Sequence, residues 1–318
     1  MGFAEEWRSV AAGGGRAAGV AVAVGRRDGV VWTDGPELLF PACSISKHVA
    51  ALGALRLVAD GVIELDADVG DYLTTWRLPG RGTVTVRQLL AHTAGLTENW
   101  YPGYAAGEPV PSLLEVLRGE PPANTPPVRR ELVPGATFRY SGSHYSVVEQ
   151  LLADVTGTPF AALMARLVLE PAGMADSGYG QRFPYDHWDR GAATGHRGGV
   201  PVPGGWHTQP ELAAAGLWST PADLVRLELE IDRAVRGESA LLPVELAAQM
   251  VTPQVPGGFG VGAEVGDGYF GHTGQNVGFS SFSFVWPASG TAVAVMIDDD
   301  DRMDTLRALI ALAARWYG

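Results

Sequence analysis

The side chains of Ser44 and Lys47 have the types and spacing of a nucleophile and its base. They stand three residues apart at the predicted start of a helix, where residues at this spacing lie on one face. A serine hydroxyl is a weak nucleophile at neutral pH. An unprotonated amine beside it can take up its proton, provided that burial or a neighbouring charge lowers the lysine pKa. The Ser-x-x-Lys spacing therefore indicates acyl transfer at Ser44, although so short a pattern also arises by chance.

Two later segments supply groups that such a centre needs. Tyr140-Ser141-Gly142 follows a Pro-Gly turn, and a tyrosine can share the proton of an attacking serine. His272-Thr273-Gly274 stands at the end of a predicted strand. There a hydrogen-bonding side chain, a hydroxyl and a closely approachable glycine backbone can bind a substrate carboxylate or carbonyl. Each triplet alone also suits an ordinary turn or strand, so the weight lies in their order after Ser44.

The elements that must position these residues follow from the apolar periodicity. A turn at residues 26–29 predicts a strand on either side of it, and further strands are predicted over residues 259–264, 269–272, 278–286 and 291–297. Helices are predicted from Ser44 to a stop at residues 60–61, over 85–92, 143–156, 159–169 and 304–317, and from Thr220.

Strands at both ends of the chain and helices between them predict an α+β fold. Its central antiparallel sheet is built from both termini and flanked by helices, with a large, mostly helical inserted region. We expect residues 1–40 and 255–318 to form the sheet region and residues 41–254 the helical region, with the active site in the cleft between them. Two long loops, residues 99–111 and 119–135, are candidate lids.

Composition limits the partners and the compartment. The 318 residues carry a net charge of −12, which disfavours a nucleic-acid partner. The N-terminus lacks the basic segment and apolar core of a signal peptide, and no stretch of about 18 apolar residues could cross a bilayer. These features predict a cytoplasmic protein with no membrane partner. No feature of the sequence predicts an oligomeric state.

Cysteine and histidine usage points away from disulfides and metals. Cys43 is the only cysteine, so it is expected to be a small buried apolar residue, or a reactive thiol because it adjoins Ser44. The spacing of His187, His196 and His207 does not match a paired metal site, which favours ordinary polar loop residues. We expect neither a metal nor a cofactor.

Taken together, these motifs resemble the serine β-lactamase-like superfamily, in which Ser-x-x-Lys is a signature. The similarity is to the branch of class C β-lactamases, D-alanyl-D-alanine carboxypeptidases, D-aminopeptidases and family VIII carboxylesterases. It extends from about residue 18 to residue 315. Linking phrases that fit this branch lie at residues 89–96, 134–141, 169–174 and 215–221.

The resemblance implies a role for each motif residue. Ser44 would be the nucleophile, Lys47 a general base or electrostatic partner, and Tyr140 its partner in proton transfer. The backbone N–H groups of Ser44 and Gln275 would form an oxyanion hole. The remaining positions implied to bind substrate are Gly142, His272, Thr273, Gly274 and Trp206.

Two residues depart from the commoner family pattern. Gly142 replaces an asparagine that usually helps to hold the lysine and an acylamino group. His272 replaces a lysine and is mostly neutral at pH 7, which weakens a permanent anchor for a substrate carboxylate. Both departures disfavour penicillin-like recognition while leaving the chemistry intact.

The sequence therefore predicts a serine hydrolase that acts on an ester, an amide or a peptide-like small molecule through an acyl-Ser44 intermediate. The alternatives are an acyltransferase or D-amino-acid-type peptidase using the same intermediate, and a non-catalytic penicillin-binding-like sensor. The acyl group, the leaving group and reactivity with β-lactams stay open. Loop aromatics are candidates either for an acyl pocket or for surface packing: Trp100, Tyr101, Tyr104 and Trp206.

Overall fold

The computed structural model describes residues 2–13, 19–182, 191–255 and 258–318. Its helices are α1 (Phe3–Ala12), α2 (Ile45–Ala59), α3 (Val86–Leu90), α4 (Leu113–Arg118), α5 (Gly142–Thr156), α6 (Phe160–Met164), α7 (Leu212–Ala215), α8 (Pro221–Val235), α9 (Val244–Val251) and α10 (Met303–Tyr317). A 3₁₀ turn covers Val69–Asp71, and a π-helical turn, Ala165–Leu169, continues α6. The strands are β1 (Val20–Arg26), β2 (Gly29–Asp34), β3 (Phe40–Pro41), β4 (His196–Arg197), β5 (Val200–Pro201), β6 (Trp218–Ser219), β7 (Glu264–Val265), β8 (Phe270–Asn276), β9 (Phe279–Trp286) and β10 (Thr291–Ile297).

The central sheet joins the two ends of the chain. Its strand order is β2-β1-β10-β9-β8-β7, and every neighbouring pair is antiparallel. The N-terminal strand β1 lies between β2 and the C-terminal strand β10, with Val20 opposite Ile297 and Arg26 opposite Thr291. The predicted α+β fold, with an antiparallel sheet built from both termini, is confirmed.

Alternation along the strands divides the core into two layers. The larger side chains Val20, Val22 and Val24 of β1 pack with α1 and α10 on one face. The small residues of β1 face α8, and a Cβ at Gly25 would lie only 2.3 Å from Val225 Cγ1 on that helix. Small residues on this face therefore allow α8 to lie close against the sheet.

Helix α2 runs through the middle of the helical region. Twelve of its fifteen residues are buried, so it is enclosed on nearly every side rather than exposing one polar face. Helices α5 and α7 pack against it and against each other. Such a helix has little freedom to shift, which makes its N-terminus a fixed point for the residues that surround it.

Most predicted elements are confirmed. Helix α3 opens with the expected capping box, in which Thr85 and Gln88 bond each other's backbone N–H. Helix α5 ends at Gly157 in the left-handed conformation. Helix α1 was not predicted from the sequence, and it covers one face of the sheet through the buried Trp7.

One predicted strand is largely wrong. Of residues 259–264, only Glu264 belongs to a strand, the short β7. Gly262 has a φ of +93°, and a Cβ there would lie 2.1 Å from Ala51 Cβ on α2. The chain leaves the ladder here because it must pack against α2. Strand β8, by contrast, continues beyond the predicted end at His272 as far as Asn276.

In the part of the chain that the structure describes, no single helix is both long and apolar enough to cross a membrane. The segments Gly142–Thr156 and Phe160–Leu169, which meet at an 82° bend, reach that length and composition only when taken together.

Candidate active site

Ser44 lies at the N-terminus of α2, directly after a tight turn. Its backbone is helical, with φ −67° and ψ −8°, and its hydroxyl does not cap the helix. The preceding residue, Cys43, has a φ of +56°, which is uncommon for a residue with a side chain and is often found at functional sites. Ser46 Oγ donates to Cys43 O at 2.6 Å and stabilises this turn. Because Ser46 stabilises the turn and Ser44 does not cap the helix, the Ser44 hydroxyl is available to hydrogen-bond side chains in the cleft.

Lys47 is buried one helical turn further on. Its Nζ lies 2.9 Å from Ser44 Oγ and 2.7 Å from the carbonyl oxygen of Ala214. Burial lowers the pKa of Lys47 to about 7, with the carboxylate of Glu264 acting in the opposite direction. About half of the Lys47 amines are then unprotonated at neutral pH and able to accept a proton.

Tyr140 lies on the other side of the serine, just before α5. Its hydroxyl hydrogen-bonds Ser44, and its ring centroid is 5.2 Å from Lys47 Nζ. Burial raises the pKa of Tyr140 further above its usual value, and the bond to Ser44 only partly offsets this. Tyr140 is therefore a protonated phenol that can donate to Ser44, whereas Lys47 is the better base of the two.

The ring of Tyr101 fills the space beside Gly142. A Cβ on Gly142 would lie 2.5 Å from Tyr101 Cε2, and Gly142 N–H donates to Asn99 O at 2.9 Å. The Tyr101 hydroxyl accepts a 2.8 Å hydrogen bond from Ser146 Oγ on α5. Position 142 therefore has glycine in place of the family asparagine where the ring of Tyr101, from the loop 99–111, occupies the space that a side chain would fill.

Strand β8 brings the second wall of the cleft against α2. Its pairing with β7 involves only Phe270 and Gly271, so its edge from His272 onward faces the helix instead of another strand. A Cβ at Gly274 would lie 2.7 Å from both Ala42 O and Cys43 Cβ. Only a glycine allows the strand to approach the turn before Ser44 this closely, and the approach carries the next residue, Gln275, to the mouth of the cleft.

His272 is enclosed rather than exposed on this edge. Its side chain is fully buried, and Nδ1 lies 2.5 Å from Thr273 O, so Nδ1 carries the proton. Burial, together with the charges of Lys47 and His48, holds the pKa of His272 well below its usual value. The side chain is therefore a neutral imidazole, and it supplies no cation to the cleft.

These segments converge on one cleft of about 350 Å³. Of the residues singled out in the sequence, it is lined by Ser44, Lys47, Trp100, Tyr101, Tyr140, Gly142 and Gln275. An adjoining branch of about 320 Å³, which also reaches Ser44, adds Thr273 and Gly274.

Two of the aromatic candidates lie elsewhere. Trp206 packs edge-on against the buried Trp218, with ring centroids 5.3 Å apart, and does not line either described branch of the cleft. Tyr104 is buried, and its hydroxyl accepts from Asn124 N at 3.1 Å. Neither side chain therefore lines the described branches of the cleft.

The histidines considered as metal ligands have backbone partners where the structure describes them. Nδ1 of His196 bonds Asp298 O and Nδ1 of His207 bonds Pro102 O, while His187 lies outside the described residues. Among those described residues, the carboxylates of Asp299–Asp301 lie within 4.8 Å of one another. The side chain of Asp300 already binds Arg197 and the N–H of Gly278.

Cys43 is buried, which agrees with the prediction of a small buried apolar residue. Burial raises the pKa of Cys43 to about 12, so the thiol stays protonated at neutral pH. A reactive thiolate beside Ser44 is not supported by this environment.

Comparison with known proteins agrees with this architecture. The family model described as Beta-lactamase matches residues 7–315. The chain belongs to the beta-lactamase family. Among curated relatives, Esterase EstB of Burkholderia gladioli is 30% identical over 72% of this chain and 64% of its own length. D-alanyl-D-alanine-carboxypeptidase/endopeptidase AmpH of Escherichia coli (strain K12) is 26% identical over 58% of this chain and 46% of its own.

The fold is shared with more distant proteins. The D-amino acid amidase from Ochrobactrum anthropi SV3, solved with L-phenylalanine amide, superposes with a TM-score of 0.77 over 99% of both chains at 19% identity. The chain spans less than two thirds of the length of the two curated relatives named above. Membership of a family whose two curated relatives named above are an esterase and a peptidase supports a hydrolase.

Several cleft residues of this family member were not singled out by reasoning from the sequence, and three of them are polar residues with a notable place in the cleft. Asn99 and Arg197 line the cleft, and Arg197 donates to Asp300 Oδ2 at 2.8 Å. Glu264 reaches the cleft from β7 and binds Thr273. No local sequence pattern identifies these residues. They reach the cleft only because the fold brings together segments that are far apart in the sequence, or because the chain bends irregularly nearby.

Proposed function

We propose that this protein hydrolyses an ester or amide bond of a small substrate, peptide-like compounds included, through an acyl intermediate on Ser44. The observation that carries the proposal is the buried Lys47 amine, 2.9 Å from Ser44 Oγ and with its pKa lowered to about 7. An amine in this state is a competent base for the serine hydroxyl at neutral pH.

In the proposed reaction, Ser44 Oγ attacks the carbonyl carbon of the substrate while its proton passes to Lys47 Nζ. The N–H groups of Ser44 and Gln275 stabilise the resulting oxyanion. The N–H of Ser44 has no intrahelical acceptor because it lies at the start of α2. Gln275 lies two residues after Thr273 on β8, so its N–H is directed toward the same strand edge as the Thr273 N–H that reaches Glu264. Tyr140 donates its proton to the leaving group and recovers one from Lys47. A water molecule then attacks the acyl carbon by the same route and releases Ser44.

The first test is turnover of small p-nitrophenyl esters, a D-phenylalanine anilide and a chromogenic cephalosporin, together with fluorophosphonate labelling followed by intact mass. We expect the wild-type protein to hydrolyse at least one ester or anilide and to take up one fluorophosphonate. Ser44→Ala should lose both properties because the nucleophile is gone. The rate of Lys47→Ala should be lower than that of the wild type by a factor of about 10² to 10⁴, as is usual for removal of a general base.

Ser289→Ala, on the exposed hairpin between β9 and β10, is the control for adventitious serine labelling and should behave like the wild type. If the wild-type protein neither forms an adduct nor turns over any of these compounds, the hydrolase proposal is wrong and a non-catalytic sensor is favoured.

A further inference from the structure

A carboxylate stands on the wall of the cleft, where the strand was expected to bind a substrate carboxylate. Glu264 Oε1 accepts the Thr273 N–H at 3.0 Å and the Thr273 hydroxyl at 2.6 Å. Both donors of Thr273 are therefore already used by the protein. A substrate carboxylate entering here would meet a second carboxylate in place of a free hydroxyl.

The charge of Glu264 is not balanced by an adjacent cation. His272 Nδ1 lies 3.5 Å from Oε1, but that imidazole is held neutral because burial keeps its pKa well below the usual value. Among the described residues, Oε2 of Glu264 has no hydrogen-bond partner, and about a third of the side chain (32%) is exposed. Lys47 is near enough to be felt electrostatically, although its amine is committed to Ser44 and Ala214 O.

Glu264 also has the position that a substrate-binding group needs. It lines the same branch of the cleft as Ser44, Tyr140 and Gln275, on the side that follows β8. Burial raises the pKa of Glu264, while the two donors of Thr273 and the charges of His48 and Lys47 favour the ionised carboxylate. At mildly alkaline pH this branch presents a partly desolvated negative charge beside the nucleophile.

The other branch of the cleft differs in charge. Its lining includes two basic residues, Lys47 and Arg197, and the carboxylate of Asp300, which pairs with Arg197 at 2.8 Å. The carboxylates of Asp299 and Asp301 lie within 4.8 Å of that of Asp300. The branch along β8 differs because its described lining residues include the carboxylate of Glu264 and no basic side chain.

Resting on the proposed hydrolase function, we infer that Glu264 selects substrates bearing an alkylammonium group on the part that lies along β8, and rejects substrates bearing a carboxylate there. A half-buried carboxylate with one unpaired oxygen attracts a cation and repels an anion more strongly than the same group in open water. Glu264 is in this view a determinant of specificity and takes no part in the bond-breaking steps.

The test compares matched substrates that differ only in charge. The first series varies the alcohol of a phenylacetyl ester: choline, its neutral counterpart with tert-butyl in place of trimethylammonium, and a carboxylate-bearing alcohol of similar length. The second series places the same three end groups on the acyl chain of p-nitrophenyl esters. The first series places the charged group on the leaving-group side of the ester bond, and the second places it on the acyl side.

In one of the two series, at pH 8, we expect kcat/KM of the wild type to favour the cationic over the neutral ester by roughly fivefold to tenfold, and to disfavour the anionic ester. Glu264→Gln keeps an acceptor for Thr273 but removes the charge, and should bring the cation-to-neutral ratio to about one. Asp267→Asn removes an exposed charge from the neighbouring turn and should keep the wild-type ratio.

If Glu264→Gln does not fold, the ratio of kcat/KM for the cationic and neutral esters of the wild-type protein still tests the inference. Turnover of the neutral esters without any preference for the cation in either series would overturn the inference and leave the hydrolase proposal intact. So would an unchanged ratio in Glu264→Gln, or an equal loss in Asp267→Asn. Absence of both neutral-ester turnover and fluorophosphonate labelling would instead overturn the hydrolase proposal on which the inference rests.

Discussion

Lys47 illustrates how burial alone can produce a base. The amine has two hydrogen-bond partners, Ser44 Oγ and Ala214 O, and among the described residues no carboxylate forms an ion pair with it. Desolvation therefore dominates and brings its pKa to about 7. The shift also weakens the fold, because the unfolded chain would hold that proton up to about pH 10.4. This destabilisation is complete below pH 7 and fades as the pH rises toward the unfolded-state pKa.

The pH dependence of hydrolysis should report this amine. Protonated Lys47 cannot accept the Ser44 proton, so kcat/KM for a neutral ester should rise as the pH increases through about 7 and then level off. The measurement is an initial-rate profile between about pH 5.5 and 9, corrected for uncatalysed hydrolysis. A flat profile across this range, or a rate that falls as the pH increases through 7, would contradict the role of Lys47 as base.

At the scale of elements, the cleft depends on close approaches that only glycine permits. Gly274 lets β8 lie against the turn before Ser44, and Gly142 leaves room for Tyr101 at the start of α5. In both places the side chain is missing because another segment occupies its space. The family asparagine at position 142 is therefore incompatible with the present position of the Tyr101 ring.

Gly142→Asn tests this fit. The new side chain would overlap Tyr101 Cε2, so the free energy of unfolding should fall by about 1–3 kcal/mol, as for other overpacked sites. Combining it with Tyr101→Ala should cost less than the sum of the two single changes, since one change removes the obstacle to the other. Urea denaturation of the four proteins of this cycle measures the coupling.

Gly157→Asn serves as the control for the same exchange outside the cleft. Gly157 ends α5 in the left-handed conformation with no atom within 4 Å of a Cβ, and asparagine tolerates that conformation. Its effect should be small. Strict additivity of Gly142→Asn and Tyr101→Ala would show that the two side chains do not compete for the same space.

Local signals were enough to predict much of this architecture. The capping box at Thr85, the glycine stop at Gly157 and the strand-forming residues of β9 and β10 are local features of the sequence, and these elements are confirmed. The expected strand over 259–264 was wrong because Gly262 must pack against Ala51, a contact that no local pattern encodes. Glu264 was missed for the same reason, since its importance comes from its bond to Thr273.

For the molecule as a whole, the candidate site is an assembly of three distant segments. The helix that carries Ser44 and Lys47 follows the first two strands, Tyr140 precedes α5 in the helical region, and Gln275 comes from β8 near the C-terminal end. The pairing of β1 with β10 closes the sheet, and the buried α2 and α5 fix the other two segments against it. The order of the motifs could be predicted from the sequence, whereas their distances required the fold.

The most direct test of this account is whether substrate acyl groups become attached to Ser44. The protein is mixed with a p-nitrophenyl ester, quenched in acid within the first turnovers, and measured by intact mass and peptide mapping. We predict a mass increase equal to one acyl group in place of one hydrogen, located on the peptide that contains Ser44 and absent from Ser44→Ala. Ester turnover with no acylated species, or an acyl group located on another residue, would contradict the account.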